Sequence, residues 1–314
     1  MNDACPLCGS KKNSIVEQYE TIGPAKYECW MVRCTDCGHY FTKTEQDLDL
    51  EQLYSEGQYE VLDTRGSLFE KIVAFDDRFI VRQLSEFPVP EKTLLDFGCG
   101  KGQFMCRALE YGWQAYGVET GKKRAEFGKT LYGLNISTSE YKGGLIKGGP
   151  VGAVTLFHVL EHLDRPKTLV RELIDGNLVP DGYLVIEVPL FESLQSKIAG
   201  KWWLHLDPPL HVSHFTKEAL LKFVNDLGLE PVKIGSLSIR LGVLGMVQSL
   251  MSVFGYRKMI ISELKFNRSK RLMLSIILAL PLAVILELSA ALFNKGGVIR
   301  IYCKAAGTQC AGRT

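Results

Sequence analysis

The sequence predicts a doubly wound α/β domain preceded by a small cysteine-rich module and interrupted near its end by an apolar helical insert. Three observations carry that prediction: a strand, glycine-rich loop and helix unit at 93–111, further short apolar runs rich in β-branched residues, and two Cys-x-x-Cys pairs before residue 40. Parallel strands buried on both faces read as continuous apolar runs, unlike the alternating strands of a half-solvated antiparallel sheet.

A chain of 314 residues suits one large domain plus a module and can bury a sizeable core. Its 37 basic and 35 acidic residues nearly cancel, which disfavours nucleic acid as a partner, because such binding is dominated by phosphate neutralisation. No apolar stretch follows a basic start at the N-terminus, so no secretory signal is read and a cytoplasmic location is expected.

Cys5-Pro6-Leu7-Cys8-Gly9 and Cys34-Thr35-Asp36-Cys37-Gly38 form two knuckles separated by strand-like residues. Four thiolates presented from tight turns are the soft donor set of a closed tetrahedral zinc site, and a segment this short has too little core to fold without metal. The pairing argues for reduced thiols rather than a disulfide framework. A redox pair or an iron–sulfur site would not need the glycine after each knuckle. Structural Zn2+ on Cys5, Cys8, Cys34 and Cys37 is therefore expected, while Cys29 and His39 break the paired spacing and are left out.

Residues 93–104, Thr-Leu-Leu-Asp-Phe-Gly-Cys-Gly-Lys-Gly-Gln-Phe, begin as an apolar strand and turn through three alternate glycines into an amphipathic segment, Phe104 to Tyr111. Glycine is needed where backbone bends sharply and meets a ligand, since a Cβ would fill that space. The next apolar run, Ala115-Tyr116-Gly117-Val118, ends in Glu119, 23 residues after Asp96. At the tip of a second strand a carboxylate can accept both hydroxyls of a ribose, so a nucleoside cofactor follows. The dinucleotide fingerprint would require glycine at Gln103, which disfavours NAD, and no Gly-Lys-Ser/Thr element is present to cradle a triphosphate.

Leu94-Leu-Asp-Phe-Gly-Cys-Gly-Lys-Gly102 resembles motif I of the class I S-adenosylmethionine (SAM)-dependent methyltransferases. The resemblance implies a Rossmann-like seven-stranded sheet and SAM as cofactor. It implies that Asp96 holds the amino acid moiety, that Gly98, Cys99, Gly100 and Gly102 line the methionine and ribose, and that Glu119 binds ribose. Phe157 and His158 are expected beside the cofactor. Val154 to Pro166, with its Val-Leu-Glu-His segment, is similar to the family's fourth strand, Leu178 to Pro189 to the fifth, and Gly297 to Lys304 to the last strand, which returns antiparallel to a strand at Pro231–Ile239. His205-Leu-Asp-Pro-Pro-Leu-His211-Val-Ser-His214 resembles a segment of bacterial members with an N-terminal ribbon, which modify sugars or other small metabolites. Two departures stand out: Gly152 lies where the family often has an aspartate, and Asp181 replaces a turn glycine, a substitution Asp tolerates.

SAM brings an activated methyl, so the protein's task is to bind, orient and desolvate the acceptor, with a base only for some acceptors. Glu161, His162, His205, Asp207, His211 and His214 follow parallel strands, where open α/β sheets place their ligands. His162, His205, Asp207 and His211 are the catalytic candidates, with one histidine as base. Glu161 and His162, adjacent on a helix, are expected to point apart, one to the cleft and one to structure.

Leu241–Phe254 and Leu272–Phe293 are apolar, the second long enough to span a bilayer but broken by Pro281 and Glu287. With both ends of the insert anchored on one sheet, a single span is excluded, which leaves a buried cap, a homodimer surface or peripheral membrane contact through 241–293 on the membrane's inner face. Arg257, Lys258, Lys265, Arg268, Lys270 and Arg271 suit anionic headgroups. The expected divisions are a ribbon at 1–45, a helical linker or lid at 46–90, the SAM-binding core at 91–240, the insert at 241–296 and the last strand and tail at 297–314. The expected activity is methyl transfer from SAM to a small-molecule or saccharide acceptor, including a lipid-linked saccharide. The competing readings are an RNA methyltransferase that uses the ribbon for binding and a non-catalytic SAM-binding scaffold.

Overall fold

The computed structural model describes residues 4–20, 27–44, 63 and 65–305. The expected linker at 46–90 therefore falls partly outside the described residues, as does the tail beyond Ala305.

Two sheets organise the chain. Strands β1 (Asn13–Glu20), β2 (Glu28–Cys34) and β3 (Tyr40–Thr44) form an antiparallel ribbon. A short strand from far along the chain, β9 (Ser213–His214), extends its free edge beside β3. The central sheet comprises β4 (Thr93–Phe97), β5 (Gln114–Val118), β6 (Asn135–Ser137), β7 (Val151–Phe157), β8 (Leu178–Pro189), β10 (Leu229–Gly235) and β11 (Val298–Ala305). Its order is β10-β11-β8-β7-β4-β5-β6, with β11 antiparallel to both neighbours and the β6-to-β8 strands parallel. This seven-stranded arrangement is the class I methyltransferase fold that the sequence implied.

The apolar runs explain the centre of the sheet. Leu95, Val154, Leu156, Leu184, Ile186 and Ile299 are almost wholly buried on one face, and Leu94, Ala153, Val185 and Tyr302 on the other. Helices cover both faces, among them α1 (Leu68–Ser85), α2 (Gln103–Glu110), α3 (Lys122–Tyr132) and α4 (Pro166–Asn177). Strand order reverses at β4, which lies between β5 and β7. The crevice beyond the carboxyl ends of such strands is where doubly wound sheets bind ligands.

The two departures noted in the sequence acquire physical reasons. Gly152 lies at the amino end of β7, opposite the glycine loop, and a Cβ there would sit 1.9 Å from the Glu91 carbonyl oxygen. A close chain crossing accounts for that glycine, and a carboxylate at this position would be remote from the loop. Asp181 has φ +60° and is paired with Lys304 at 2.8 Å. The strand expected through Ile239 stops at Gly235, because Ser238 turns to cap the next helix, accepting from the Leu241 N–H at 3.2 Å and donating to Asp76 Oδ2 at 2.8 Å.

Helices α5 (Leu194–Ala199) and α6 (Lys217–Asp226) follow β8, and α7 (Ile239–Val253), α8 (Ile260–Phe266) and α9 (Lys270–Leu292) lie between β10 and β11. Helix α9 buries Leu272, Ala283, Glu287 and Ala290 and packs on α7. Glu287, which interrupts the apolar run in sequence, anchors the helix: it accepts from the Gly297 N–H at 2.8 Å and from Gln195 Nε2 at 2.6 Å. The opposite face is apolar yet exposed, with Leu278 at 72% and Ile285 at 61% exposure.

Candidate active site

The glycine loop joins β4 to α2 and is built by backbone. Gly98 has φ +77°, and a Cβ on it would lie 2.5 Å from Val159 Cγ2; Gly102, the N-cap of α2, has φ +75° and would place a Cβ 2.2 Å from Leu134 Cδ1. Glycine is required at both, by left-handed backbone and by space. The loop arches over the tip of β5, where the N–H groups of Gly98 and Cys99 donate to the Val118 carbonyl at 2.8 and 3.0 Å. The Cys99 thiol packs on Gly117, at which a Cβ would come within 2.6 Å of Sγ.

Glu119 reaches back into this loop. Its Oε2 accepts from the Gly100 N–H at 2.9 Å, while Oε1 accepts from the Gly121 N–H at 2.6 Å and from Arg124 Nη2 at 2.9 Å. The carboxylate is therefore held at the mouth of the cradle by three donors, where a ribose would lie. Asp96, one strand inward, accepts from the Thr155 hydroxyl at 2.7 Å. Burial pushes its carboxyl up to about 7, against the lowering effect of that bond. A cationic ammonium nearby would reverse the shift. Phe157, at the end of β7, meets Phe104 edge-on with ring centroids 4.7 Å apart. These groups fit an adenosyl cofactor bearing an amino acid.

The second half of the crevice is made of side chains. His158 adopts φ +56° immediately after β7, a conformation that costs a non-glycine residue of order 1–3 kcal/mol. Its Nδ1 lies 3.2 Å from Glu161 Oε1 and its Nε2 3.0 Å from Glu187 Oε1, and Arg300 pairs with the other oxygen of Glu187. Burial opposes protonation of His158, but the two carboxylates outweigh it and raise the imidazole to about 9. The result is a buried chain, Arg300–Glu187–His158–Glu161, with charges alternating in sign.

Glu161 and His162 lie on a single 3₁₀ turn, Leu160–His162, and are not divided between cleft and structure as expected. A 3₁₀ turn spreads adjacent side chains by about 120°, so it is the returning 205–214 segment, laid across the turn, that sets His211 near both. One ligand atom from each of Glu161, His162 and His211 lies within 4.8 Å of the others. Two hydrogen bonds align the histidines: His162 Nδ1 donates to the Leu210 carbonyl at 3.0 Å, and His211 Nδ1 to the His205 carbonyl at 2.8 Å. The Val212 N–H donates to the Glu161 carbonyl at 2.7 Å, drawing the 205–214 segment over the turn. The structure thus brings His162 and His211 together. It does not bring the His205 ring to them, because that ring faces α7, with Nε2 3.3 Å from the Leu241 carbonyl. Asp207, with φ +35°, lines a cavity of about 540 Å³ between the ribbon, the 201–208 loop and the start of α8. His214 bonds Thr42 Oγ1 at 2.8 Å and serves the ribbon contact.

Sequence reasoning missed Glu187 and Arg300, which are direct cross-strand partners in β8 and β11. The available signal was one charged residue inside each of two otherwise apolar runs, Leu-Val-Ile-Glu-Val and Val-Ile-Arg-Ile-Tyr. Buried charges occur in pairs, so opposite signs in two core strands mark a contact.

At the other end of the molecule, Cys5 and Cys37 Sγ atoms are 3.6 Å apart, as are those of Cys8 and Cys34, and all four sulfurs lie within 4.8 Å. Zinc–thiolate bonds of about 2.3 Å give a tetrahedron with edges of about 3.8 Å. The four thiols therefore form a near-tetrahedral cluster of the size that holds zinc.

A family model described as a methyltransferase domain matches residues 73–234, or 162 of the 314 residues. The chain belongs to this methyltransferase family. Solved structures similar to it include a SAM-dependent methyltransferase from Archaeoglobus fulgidus, at 20% identity and a TM-score of 0.44, covering 77% of this chain and 96% of that one. Others are a geranyl diphosphate methyltransferase in complex with GPP and sinefungin (16% identity, TM-score 0.48, coverage 74% and 77%) and an enzyme described as a putative sarcosine dimethylglycine methyltransferase from Galdieria sulphuraria (11%, 0.49, 74% and 85%). No curated protein matches the chain.

Proposed function

We propose that this methyltransferase transfers the methyl group of SAM to a saccharide or other polar small molecule, and that it works against a membrane surface. The observation that carries the cofactor assignment is the Glu119 carboxylate held in the glycine loop by the Gly100 and Gly121 N–H groups. Two ribose hydroxyls can replace backbone donors on that carboxylate, and Asp96 beside it can take the cofactor's ammonium. Gly98, Cys99, Gly100 and Gly102 cradle the rest, with Phe157 and His158 alongside. Bound SAM supplies the electrophilic methyl. The protein holds the acceptor oxygen, nitrogen or carbon in line with it and keeps water out.

The acceptor side is assigned to the Glu161, His162 and His211 group and to the cavity beside Trp202, Lys201 and Arg257, which is lined by Asp207, whose carbonyl accepts from the His211 N–H at 3.0 Å. An aromatic face flanked by charged and amide groups suits a sugar, whose rings stack through C–H faces while their hydroxyls hydrogen-bond. His205 acts in this reading as a positioning residue, through the carbonyl that orients His211. Zinc on the four cysteines holds the ribbon together.

The exposed apolar face of α9, a 23-residue helix whose most apolar 18-residue stretch has mean hydropathy 2.4, supports contact with lipid acyl chains, and the cationic run from Arg257 to Arg271 supports anionic headgroups beside it. Both ends of the insert return to one sheet through β10 and β11, which fits a helix lying in the interface. A lipid-linked saccharide would meet the protein there.

Calorimetric titration with SAM and with its demethylated product tests the cofactor assignment. Micromolar affinity weakened by Glu119→Ala and Asp96→Ala is expected, and absence of binding by folded protein would overturn it. Flotation with anionic liposomes tests the surface. Binding lost when the exposed α9 leucines and isoleucines become Gln or Ser is expected, whereas indifference to those changes, or a dimer that dissociates with them, would refute the membrane role.

A further inference from the structure

We infer that the cavity between the ribbon, the 201–208 loop and the start of α8 selects an anionic acceptor, a saccharide bearing a phosphate monoester or diphosphate, with Lys201 and Arg257 on the phosphate. This names the substrate class for the acceptor side assigned above and rests on that reading for the direction in which the sugar points. The binding site itself stands on the charges that line it.

Two cations share one indole. Arg257 Cζ lies 5.0 Å and Lys201 Nζ 5.9 Å from the centroid of the Trp202 ring. Among the described residues neither is paired with a carboxylate, whereas the neighbouring Lys258 is neutralised by Glu263 at 3.2 Å. Arg257 is held in place without being neutralised. Its Nη1 donates to the Ser252 carbonyl at 2.6 Å, and among the described residues its Nε and Nη2 make no hydrogen bond. A guanidinium stacked on an aromatic ring and fixed by one corner offers its remaining N–H groups to an oxyanion. Like charges gathered at one ring repel, and an anion between them relieves that repulsion.

The walls are in place before any ligand arrives. Gln248, itself buried, donates from Nε2 to the Trp202 carbonyl at 2.9 Å and accepts from the Ile260 N–H at 2.9 Å. The loop carrying Lys201 and Trp202 is thereby tied to the start of α8, three residues after Arg257. Tyr19 and Glu28 of the ribbon close the other side. A preformed site of this kind loses little ordering entropy on binding.

The lining also selects the class of anion. Glu28 and Asp207 line the same cavity, so a bare anion would meet two carboxylates as well as two cations. An anion attached to a sugar resolves this, because hydroxyl groups donate to carboxylates while the phosphate meets the cations. A phosphate monoester or a diphosphate carries about two negative charges, enough for both cations, whereas a sugar carboxylate carries one. Asp207 leads inward, since its carbonyl accepts from the His211 N–H at 3.0 Å. Arg257 leads outward, at the start of the cationic run before α9. The volume of about 540 Å³ is of the size that small-molecule ligands occupy.

Calorimetric titration of the full chain with glucose 1-phosphate and with glucose tests the site. The phosphate ester is expected to bind about tenfold or more tightly than the neutral sugar, and Arg257→Met and Lys201→Met should each remove most of that advantage. Both side chains are exposed, so the variants are expected to keep the fold. Equal affinities for the two sugars, or variants that both keep the difference, would overturn the proposal. Two carriers are then compared: uridine diphosphate glucose in solution, and polyprenyl diphosphate glucose in phosphatidylcholine vesicles read against the same vesicles without it. The arm that Arg257→Met abolishes identifies the carrier, and binding in neither arm counts against the site. SAM titration of the same samples separates the two readings. Cofactor binding without phosphate selectivity sinks only the acceptor class, and phosphate selectivity without cofactor binding sinks only the methyltransferase reading.

Discussion

The two halves of the crevice sit at the same edge of one sheet but are made of different material. The half proposed for the cofactor is a contiguous stretch from Asp96 to Gly121, and its shape comes from backbone N–H groups, left-handed glycines and one returning carboxylate. The half proposed for the acceptor draws on β7, the 3₁₀ turn, β8, the 205–214 segment and β11, and its shape comes from charged and imidazole side chains. A backbone site tolerates no added atom, whereas a side-chain site tolerates no lost partner.

Substitutions should expose that difference, and the largest effect belongs to the acceptor half. Arg300→Met leaves Glu187 buried without its guanidinium, and breaking a buried pair from one side costs about 3–5 kcal/mol. A denaturant titration should show that loss of stability, and an unchanged midpoint would mean that the buried charge chain does not build this half. Gly98→Ala comes next. The added carbon meets Val159 and must hold a left-handed backbone, so SAM affinity should fall by about a hundredfold or more, on the order of 3 kcal/mol, with the fold retained. Glu119→Ala should reduce SAM affinity by about tenfold to a hundredfold, the range expected for losing a charged hydrogen-bond acceptor, while Glu119→Gln should lose less.

The smallest effect is a pH dependence. The Asp96 carboxyl is raised to about 7 in the folded protein, so between its unfolded value and pH 7 the native state holds a proton that the unfolded chain has released. Its contribution to stability is present below that window and falls as pH rises through it. The ammonium of SAM favours the ionised form, so affinity should rise with pH, by up to about tenfold per unit below 7, and level off above it. Calorimetry on Asp96→Asn should give a weaker and flatter profile; a slope that persists would assign the proton to another group.

The same contrast explains what could be read from sequence. The glycine loop, Glu119 and the cysteine knuckles lie in short segments whose spacing encodes their chemistry, and the parallel strands are continuous apolar runs. The convergence of Glu161 and His162 on His211 depends on a 3₁₀ turn that no periodicity announces and on a chain return some fifty residues later. The Arg300–Glu187 pair depends on the register of two strands more than a hundred residues apart. Likewise β6 is only three residues long, too short to rise above its polar surroundings. The exposed face of α9 is invisible to hydropathy, which reports how apolar a helix is and not what covers it.

The two-residue strand β9 gives the ribbon a mechanical hold on the crevice. Its pairing with β3, together with the bond from Thr42 Oγ1 to the His211 carbonyl at 2.8 Å, fastens the segment carrying His211 to the sheet that carries the four cysteines. With zinc held there as proposed, its removal would slacken that tether and let the imidazole drift from its partners. Chelation would then silence the proposed activity from a distance, by loss of tension along a strand.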